Sequence, residues 1–214
     1  APQLGGNPWP VIYRNLRDNE IILNLSRENP VHQVYEGPAL ILKAYMAAAL
    51  TDIYGDAPYS EALRGQEGEV RPAYDLQEDI YNGIDGILDN LDQAIDVLEN
   101  YAGNTQLEGD ILFNGDLESW IRFANSLKIK YLMRISDQID VSTELQSVFS
   151  ENRFIQNNAQ NATVDFTDGQ PNNFRMANLR AGDFNLFIMS ETMEEILNEL
   201  NDPRVDIFFR PAAN

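Results

Sequence analysis

Seven aliphatic residues, Leu76, Ile80, Ile84, Ile87, Leu91, Ile95 and Leu98, follow one another at steps of four, four, three, four, four and three. That spacing keeps them on one side of an α-helix. The segment can therefore only become a helix with a single apolar stripe, which another element must cover. Asp75, Asp79, Asp85, Asp89, Asp92, Asp96 and Glu99 fall mostly off the stripe. Asp75 and Glu78 also put negative charge in the first turn, where the helix dipole favours it. Gly83 and Gly86 each cost about 1 kcal/mol relative to alanine in a helix interior, so packing has to hold the segment together. With fewer than four heptads and two interior glycines, the stripe predicts an intramolecular bundle rather than a coiled coil.

The remaining elements read as partners for it. Trp9 to Arg27 is a first helix, with Ile12, Leu16, Ile21, Ile22 and Leu25 near helical spacing, and Pro30 ends it. Gly37 to Tyr54 is a second, alanine-rich helix whose only charges are Lys43 and Asp52. Pro38 suits its first turn and Gly55 its left-handed stop. Leu63 to Pro72 and Tyr101 to Gly115 are loops. Asp116 is placed as the N-cap of a fourth helix running to about Ser136, which carries Trp120, Phe123, Leu127, Tyr131, Leu132 and Ile135. Arg122, Lys128, Lys130 and Arg134 lie between those residues, so a basic face is expected beside the acidic third helix. A short fifth helix is expected near Thr143 to Ser150, then a polar stretch over 152–182. Ser190 starts a last helix in capping-box fashion, with Met193 and Glu194 following. The expected fold is all-α, with stacked antiparallel helix hairpins and irregular loops. One domain is expected over 1–214, with a hairpin core at about 9–138 and a loop-rich segment with the last helix at about 139–214.

Composition narrows the function. The chain has 214 residues, 43% hydrophobic and 10% aromatic, which suits a folded domain with a real core. No apolar run reaches the roughly 18–20 residues of a membrane span. Ala1 to Gly6 has neither the basic region nor the apolar core of a signal peptide. Cysteine is absent, so disulfides and thiolate metal sites are excluded. Net charge is −19, and twelve acids with no lysine or arginine lie between Arg71 and Arg122. That sign disfavours nucleic acid and anionic lipid as partners. The acidic stretch reads as a solvated face, or as a docking face for a basic partner.

Catalytic chemistry has little to stand on. His32 is the only histidine and has no nucleophile motif beside it. No phosphate loop, dinucleotide fingerprint or zinc helix occurs, and no cofactor or metal is expected. No motif marks a carboxylate pair for glycoside hydrolysis among the 34 acids. Asp165, Asp168 and Gly169, with Asn161 upstream, lack the spacing of a calcium loop and read as an Asx-type turn. Sugar binding, by contrast, needs exposed aromatic faces with amide, carboxylate or guanidinium groups nearby. Tyr45, Trp120, Phe123 and Tyr131 lie inside helices and read as core. Aromatics in loops or at helix starts are the candidates: Trp9, Tyr59, Tyr74, Tyr101 and Phe174. Trp9 sits between Pro8 and Pro10 with Asn7 and Arg14 close by in sequence, and reads either as a ligand face or as a hydrophobic cap on the bundle. The candidate ligand residues are therefore Asn7, Trp9, Arg14, Tyr74 and Tyr101.

Several motifs carry a resemblance. Asp52-Ile-Tyr-Gly-Asp-Ala-Pro-Tyr-Ser-Glu-Ala62 resembles the signature that ends a helix in the SusD/RagB-like family of outer-membrane nutrient-binding lipoproteins. In the same order follow Pro72-x-Tyr-Asp-x-Gln-x-x-Ile-Tyr81, Gly109-Asp110, and Gly115-Asp116-x-x-x-Trp120-x-x-Phe-Ala-Asn125-Ser-Leu-Lys. Asn201-Asp-Pro-Arg204 with Phe208 and Phe209 comes last, so the resemblance runs from about Trp9 to Pro211. It implies tetratricopeptide-like hairpins, although no strict 34-residue repeat stands in the letters. It assigns Tyr54, Gly55, Asp56, Pro58, Tyr59, Asp116, Trp120 and Asn125 to structural roles. It further implies non-catalytic binding of oligosaccharide or polysaccharide, with a TonB-dependent porin-like transporter as partner. Surface location on the outer membrane through a lipidated cysteine is also implied. This chain has no such cysteine and is under half the family's usual length, so a fragment is expected. A protein-interaction scaffold or a peptide-binding member of the family is the alternative.

Overall fold

The structure, a computed structural model, describes residues 7–169, 173–174 and 189–209. Among them are eight α-helices and no β-strand, only one antiparallel bridge between Ala57 and Asp75. They fall into two compact units, Ala1–Val164 and Asp165–Asn214. Of the polar stretch 152–182, residues 170–172 and 175–182 lie outside the described residues, as do 210–214. No helix among the described residues is long and apolar enough to cross a membrane.

The first unit is built round its second helix. α1 (Trp9–Glu28) ends at a 3-10 turn over Pro30–Tyr35, where the Asn29 side chain accepts the Val31 amide. α2 (Glu36–Tyr54) follows at once and buries most of its length, although Tyr45, read as core from its place inside the helix, is 47% exposed. Ala39, Ala44, Ala47 and Ala48 are all covered, and small side chains there let neighbours approach closely. α1 packs on one side and α4 (Ile87–Glu99) on another, with α3 (Gln77–Asn82) and α5 (Leu117–Ile135) also in contact. Gly37 marks the tightest approach, since a Cβ there would overlap the Leu98 side chain of α4.

The third helix is not continuous, which corrects the sequence reading. Asp85 adopts a left-handed backbone (φ 60°) between Gly83 and Gly86, and the segment splits into α3 and α4. Ile80, Ile87, Leu91 and Leu98 are buried as the stripe requires, but Ile84 is 97% exposed at the turn and Leu76 is also exposed. The physical reason is local. The Asn90 amide donates to the Asp85 and Gly86 carbonyls, and the Asp89 carboxylate accepts the Asp85 amide at 2.7 Å. The turn thus satisfies backbone groups that a glycine-weakened helix would hold poorly.

α5 buries Trp120, Ile121, Ala124, Leu127, Tyr131, Leu132 and Ile135. Asp116 stands at the N-cap position, but its carboxylate takes the Ser119 hydroxyl (2.5 Å) instead of a backbone N–H. Only one of the four expected cations bridges to the acidic helix, Lys128 to Asp92. Arg134 reaches Asp52 of α2 at 3.3 Å, Arg122 pairs within α5 to Glu118, and Lys130 lies over the Tyr131 ring. α6 (Ser142–Glu151) packs on α5. Beyond it, Arg153 ties Glu99 and Glu118 together, and its carbonyl accepts the buried Asn125 amide at 2.9 Å. Residues 139–164 thus belong to the first unit.

In the second unit, the Ser190 hydroxyl caps α7 (Glu191–Glu199) by accepting the Met193 amide at 3.3 Å. A one-turn helix, α8 (Val205–Phe208), follows Pro203. Phe166 and Phe174 meet edge-on at 5.4 Å.

Candidate functional site

The loop after α2 is fastened residue by residue. Gly55 takes a positive φ of 73°, which stops the helix, and the Thr51 hydroxyl donates to its carbonyl. The Asp56 carboxylate accepts the Gln77 amide at 2.9 Å and so starts α3. Ala57 and Asp75 exchange both backbone hydrogen bonds. The Pro58 carbonyl accepts the Tyr13 hydroxyl at 2.7 Å. The Asp75 carboxylate takes the Tyr59 and Ser60 amides and the Ser60 hydroxyl. Burial pushes Asp75 up, but these hydrogen bonds outweigh it and hold the carboxyl below its ordinary range. The Glu61 carboxylate accepts the Ala73 amide at 3.0 Å.

Behind this loop lies an ion cluster. Lys43, only 9% exposed in the apolar middle of α2, reaches Asp85 at 2.7 Å and Glu20 of α1 at 3.8 Å. The Tyr59 ring lies beneath its ammonium, and the Tyr59 hydroxyl donates to the Asp85 carbonyl at 2.7 Å. Burial, with the Asp85 carboxylate adding to it, pushes the Tyr59 phenol far up, so it stays a donor. Lys43 thus pins the α3–α4 turn to α1 and α2.

Trp9, Asn7 and Tyr54 come together where α1 begins and α2 ends. The Trp9 ring meets Tyr13 and Tyr54, each at 4.9 Å, the latter edge-on. The Trp9 amide donates to the Asn7 side-chain oxygen Oδ1 and to the Tyr54 hydroxyl, both at 3.1 Å. Tyr13 was missed in the sequence, although its position four residues after Trp9 puts the two side by side on a helix. Burial raises the Tyr13 phenol, and the neighbouring Tyr74 hydroxyl and Asp75 carboxylate raise it further. Tyr74 precedes Asp75, which bridges Ala57 next to the Pro58 carbonyl that Tyr13 holds, so it lies close to Tyr13, and it is 66% exposed. Arg14 is exposed and has no side-chain partner among the described residues.

Tyr101 is elsewhere. It follows α4, whose end meets the start of α2 at Gly37 and Leu98. The nineteen residues of α2 span about 28 Å at 1.5 Å each, so Tyr101 and the Trp9 patch sit at opposite ends of that helix. The Tyr101 hydroxyl donates to the Thr105 carbonyl and accepts the Thr105 amide, closing its own loop. Asp110 organises the rest. Its carboxylate accepts the Leu112, Phe113 and Gly115 amides and the Trp120 indole N–H, the last at 2.8 Å. Burial pushes Asp110 up, but those four donors hold it below the usual carboxylate range. Trp120 itself is buried and meets Phe113 edge-on at 5.3 Å.

Helix hairpins packed round one largely buried helix, with the loop that follows it tied to α1, α3 and Asp75, define a helical scaffold of the tetratricopeptide-like kind. The chain belongs to the SusD-like family: a family model described as starch-binding, associating with the outer membrane, matches residues 2–214. Solved structures share the fold. A chitin-binding protein is 30% identical and superposes with a TM-score of 0.74, over 93% of this chain and 42% of its own. A SusD/RagB family protein from Bacteroides thetaiotaomicron is 29% identical, with a TM-score of 0.71 over 92% of this chain and 40% of its own. A SusD homologue from Bacteroides vulgatus is 26% identical, with a TM-score of 0.68 over 88% and 37%. The chain thus spans about two fifths of the length of these relatives. No curated protein sequence matches it.

Proposed function

We propose that this chain is the helical-hairpin part of a non-catalytic glycan-binding protein of the outer-membrane surface. The family match over residues 2–214 carries the reading. The patch of Trp9, Tyr13, Tyr54 and Tyr74 with Asn7 supplies aromatic and polar groups such a ligand needs, and the exposed Arg14 follows Tyr13 on α1. Trp9 and Tyr54 hold the patch in shape, while Tyr74 within it and Arg14 beside it in sequence are the exposed side chains proposed to meet a sugar. His32 lies on an exposed turn without a bonded carboxylate or nucleophile, which supports binding rather than catalysis. In the intact protein, a lipid anchor and a TonB-dependent transporter complete the system. The protein captures oligosaccharide and passes it to the pore, which favours modest affinity because tight binding slows release.

Native affinity electrophoresis of this chain and its full-length parent through starch, glycol chitin and a plant and host polysaccharide panel tests the reading. Retardation of both, weakened several-fold by Tyr74→Ala or Arg14→Ala, is the expected result. Retardation of the parent alone moves the site beyond this chain. A protein-docking role has one observation in its favour: Ile21, Ile22 and Leu25 of α1 are each about half exposed. Loss of transporter co-purification on changing those three, with glycan retardation intact, would assign them to it.

A further inference from the structure

The loop at the Tyr101 end of α2 has features that the patch at the other end lacks. Residues 100–116 link α4 to α5 in seventeen positions without helix or strand. Unstructured connections beyond about 12–15 residues are uncommon in compact domains and are usually functional or slack linkers. This one is not slack. Asp110 gathers four donors, Tyr101 closes the first turn, Leu107 is buried, and the Tyr35 hydroxyl accepts the Glu108 amide at 3.3 Å.

The loop encloses a groove of about 730 Å³, within the roughly 300–1,000 Å³ of small-molecule sites. Val34 and Leu117 contribute apolar floor, and Asn104, Gln106, Glu108 and Asn114 line the rest. The side chains of Asn104, Gln106 and Asn114 are exposed and have no partner among the described residues. Each carboxamide offers a donor and an acceptor in one plane, which matches a pair of neighbouring hydroxyls. No lysine or arginine lies in the lining and two carboxylates do, so an anionic ligand is disfavoured. No aromatic ring is in the lining either, which leaves hydrogen bonding to ring edges as the mode of recognition.

We infer that the 100–116 groove is a second subsite for neutral polyhydroxylated ligands, read by Asn104, Gln106 and Asn114 at the opposite end of α2 from Trp9. The ligand class rests on the glycan reading above; the location does not. A polysaccharide can engage both ends at once, and linked contacts of that kind raise avidity without new contacts at either site.

The test is the triple variant Asn104→Ala, Gln106→Ala, Asn114→Ala, run beside wild type in the same polysaccharide gels. Far-ultraviolet circular dichroism checks that it melts as the wild type does, which is expected because all three side chains are exposed. The expected result is at least a threefold weakening of retardation, and a larger loss when combined with Tyr74→Ala. In parallel, the side-chain amide signals of the three residues should shift when maltohexaose or chitohexaose is added to labelled wild type. Wild-type retardation in the triple variant, with no amide shifts, overturns the groove and leaves the glycan reading standing. No retardation of wild type by any polysaccharide overturns both.

Discussion

The two ends of α2 are built to different rules. At its C-terminal end, the run from Tyr54 to Glu61 spends its polar groups on the protein itself, against α1, Asp75, α3 and the Lys43 cluster. At its N-terminal end, one carboxylate and two tyrosines make the loop rigid, and three carboxamides are left over. The first arrangement shows why a motif is strict: changing any member unfastens a neighbour. The second shows how a loop becomes a frame, in which a few fixed residues leave others available for a ligand.

Breaking the organising carboxylates separates the two most sharply. Asp110→Asn turns an amide toward donors that now hold a carboxylate, and a loss of about 3 kcal/mol is expected in urea unfolding, since each buried unpaired donor costs about 1–3 kcal/mol. Asp75→Asn, with three donors and a backbone bridge that survives, is expected to cost about 2 kcal/mol. An equal or larger loss at Asp75 would show that the signature loop carries more of the stability than the frame. Both carboxyls are depressed in the folded state. Their contributions are therefore complete above the ordinary value of 3.8 and are lost as pH falls through the lower folded values. Unfolding midpoints followed downward from pH 5 should fall steeply in wild type and less steeply in each variant. Gly37→Ala forces a methyl group against Leu98 and should cost about 1–3 kcal/mol, acting on α2 at the frame end alone. Tyr54→Phe removes the hydroxyl shared by Asn7 and the Trp9 amide, and a loss of about 0.5–1 kcal/mol is expected in the same measurement.

Much of this was legible in the letters, for identifiable reasons. Pro30, Pro38 and Gly55 bracket α2, and the run from Tyr54 to Ala62 marks the fastened loop. The split between α3 and α4 was not legible, because the four-and-three spacing continues through Ile84 as if the helix did. What breaks it is the left-handed Asp85 together with Asn90, Asp89 and a lysine 42 residues away, none of which periodicity can register. Asp116 was legible as a helix start but not as a hydroxyl acceptor. Trp9 and Asn7 were picked out by their place at a proline-flanked helix start, but nothing in the sequence placed Tyr54 against them or Tyr101 at the far end. The three carboxamides look like any solvated loop residues until Asp110 and Tyr101 shape a groove round them.

Contact of α2 with four other helices has a consequence for exchange with solvent. A helix at the edge of a bundle can fray or lift, whereas the buried residues of α2 are held by α1, α3, α4 and α5 together. Its amides from about Leu40 to Leu50 are expected to exchange most slowly, at the rate at which the first unit unfolds. Deuterium uptake at those positions therefore serves as an internal clock for global unfolding, against which the opening of any peripheral element can be timed.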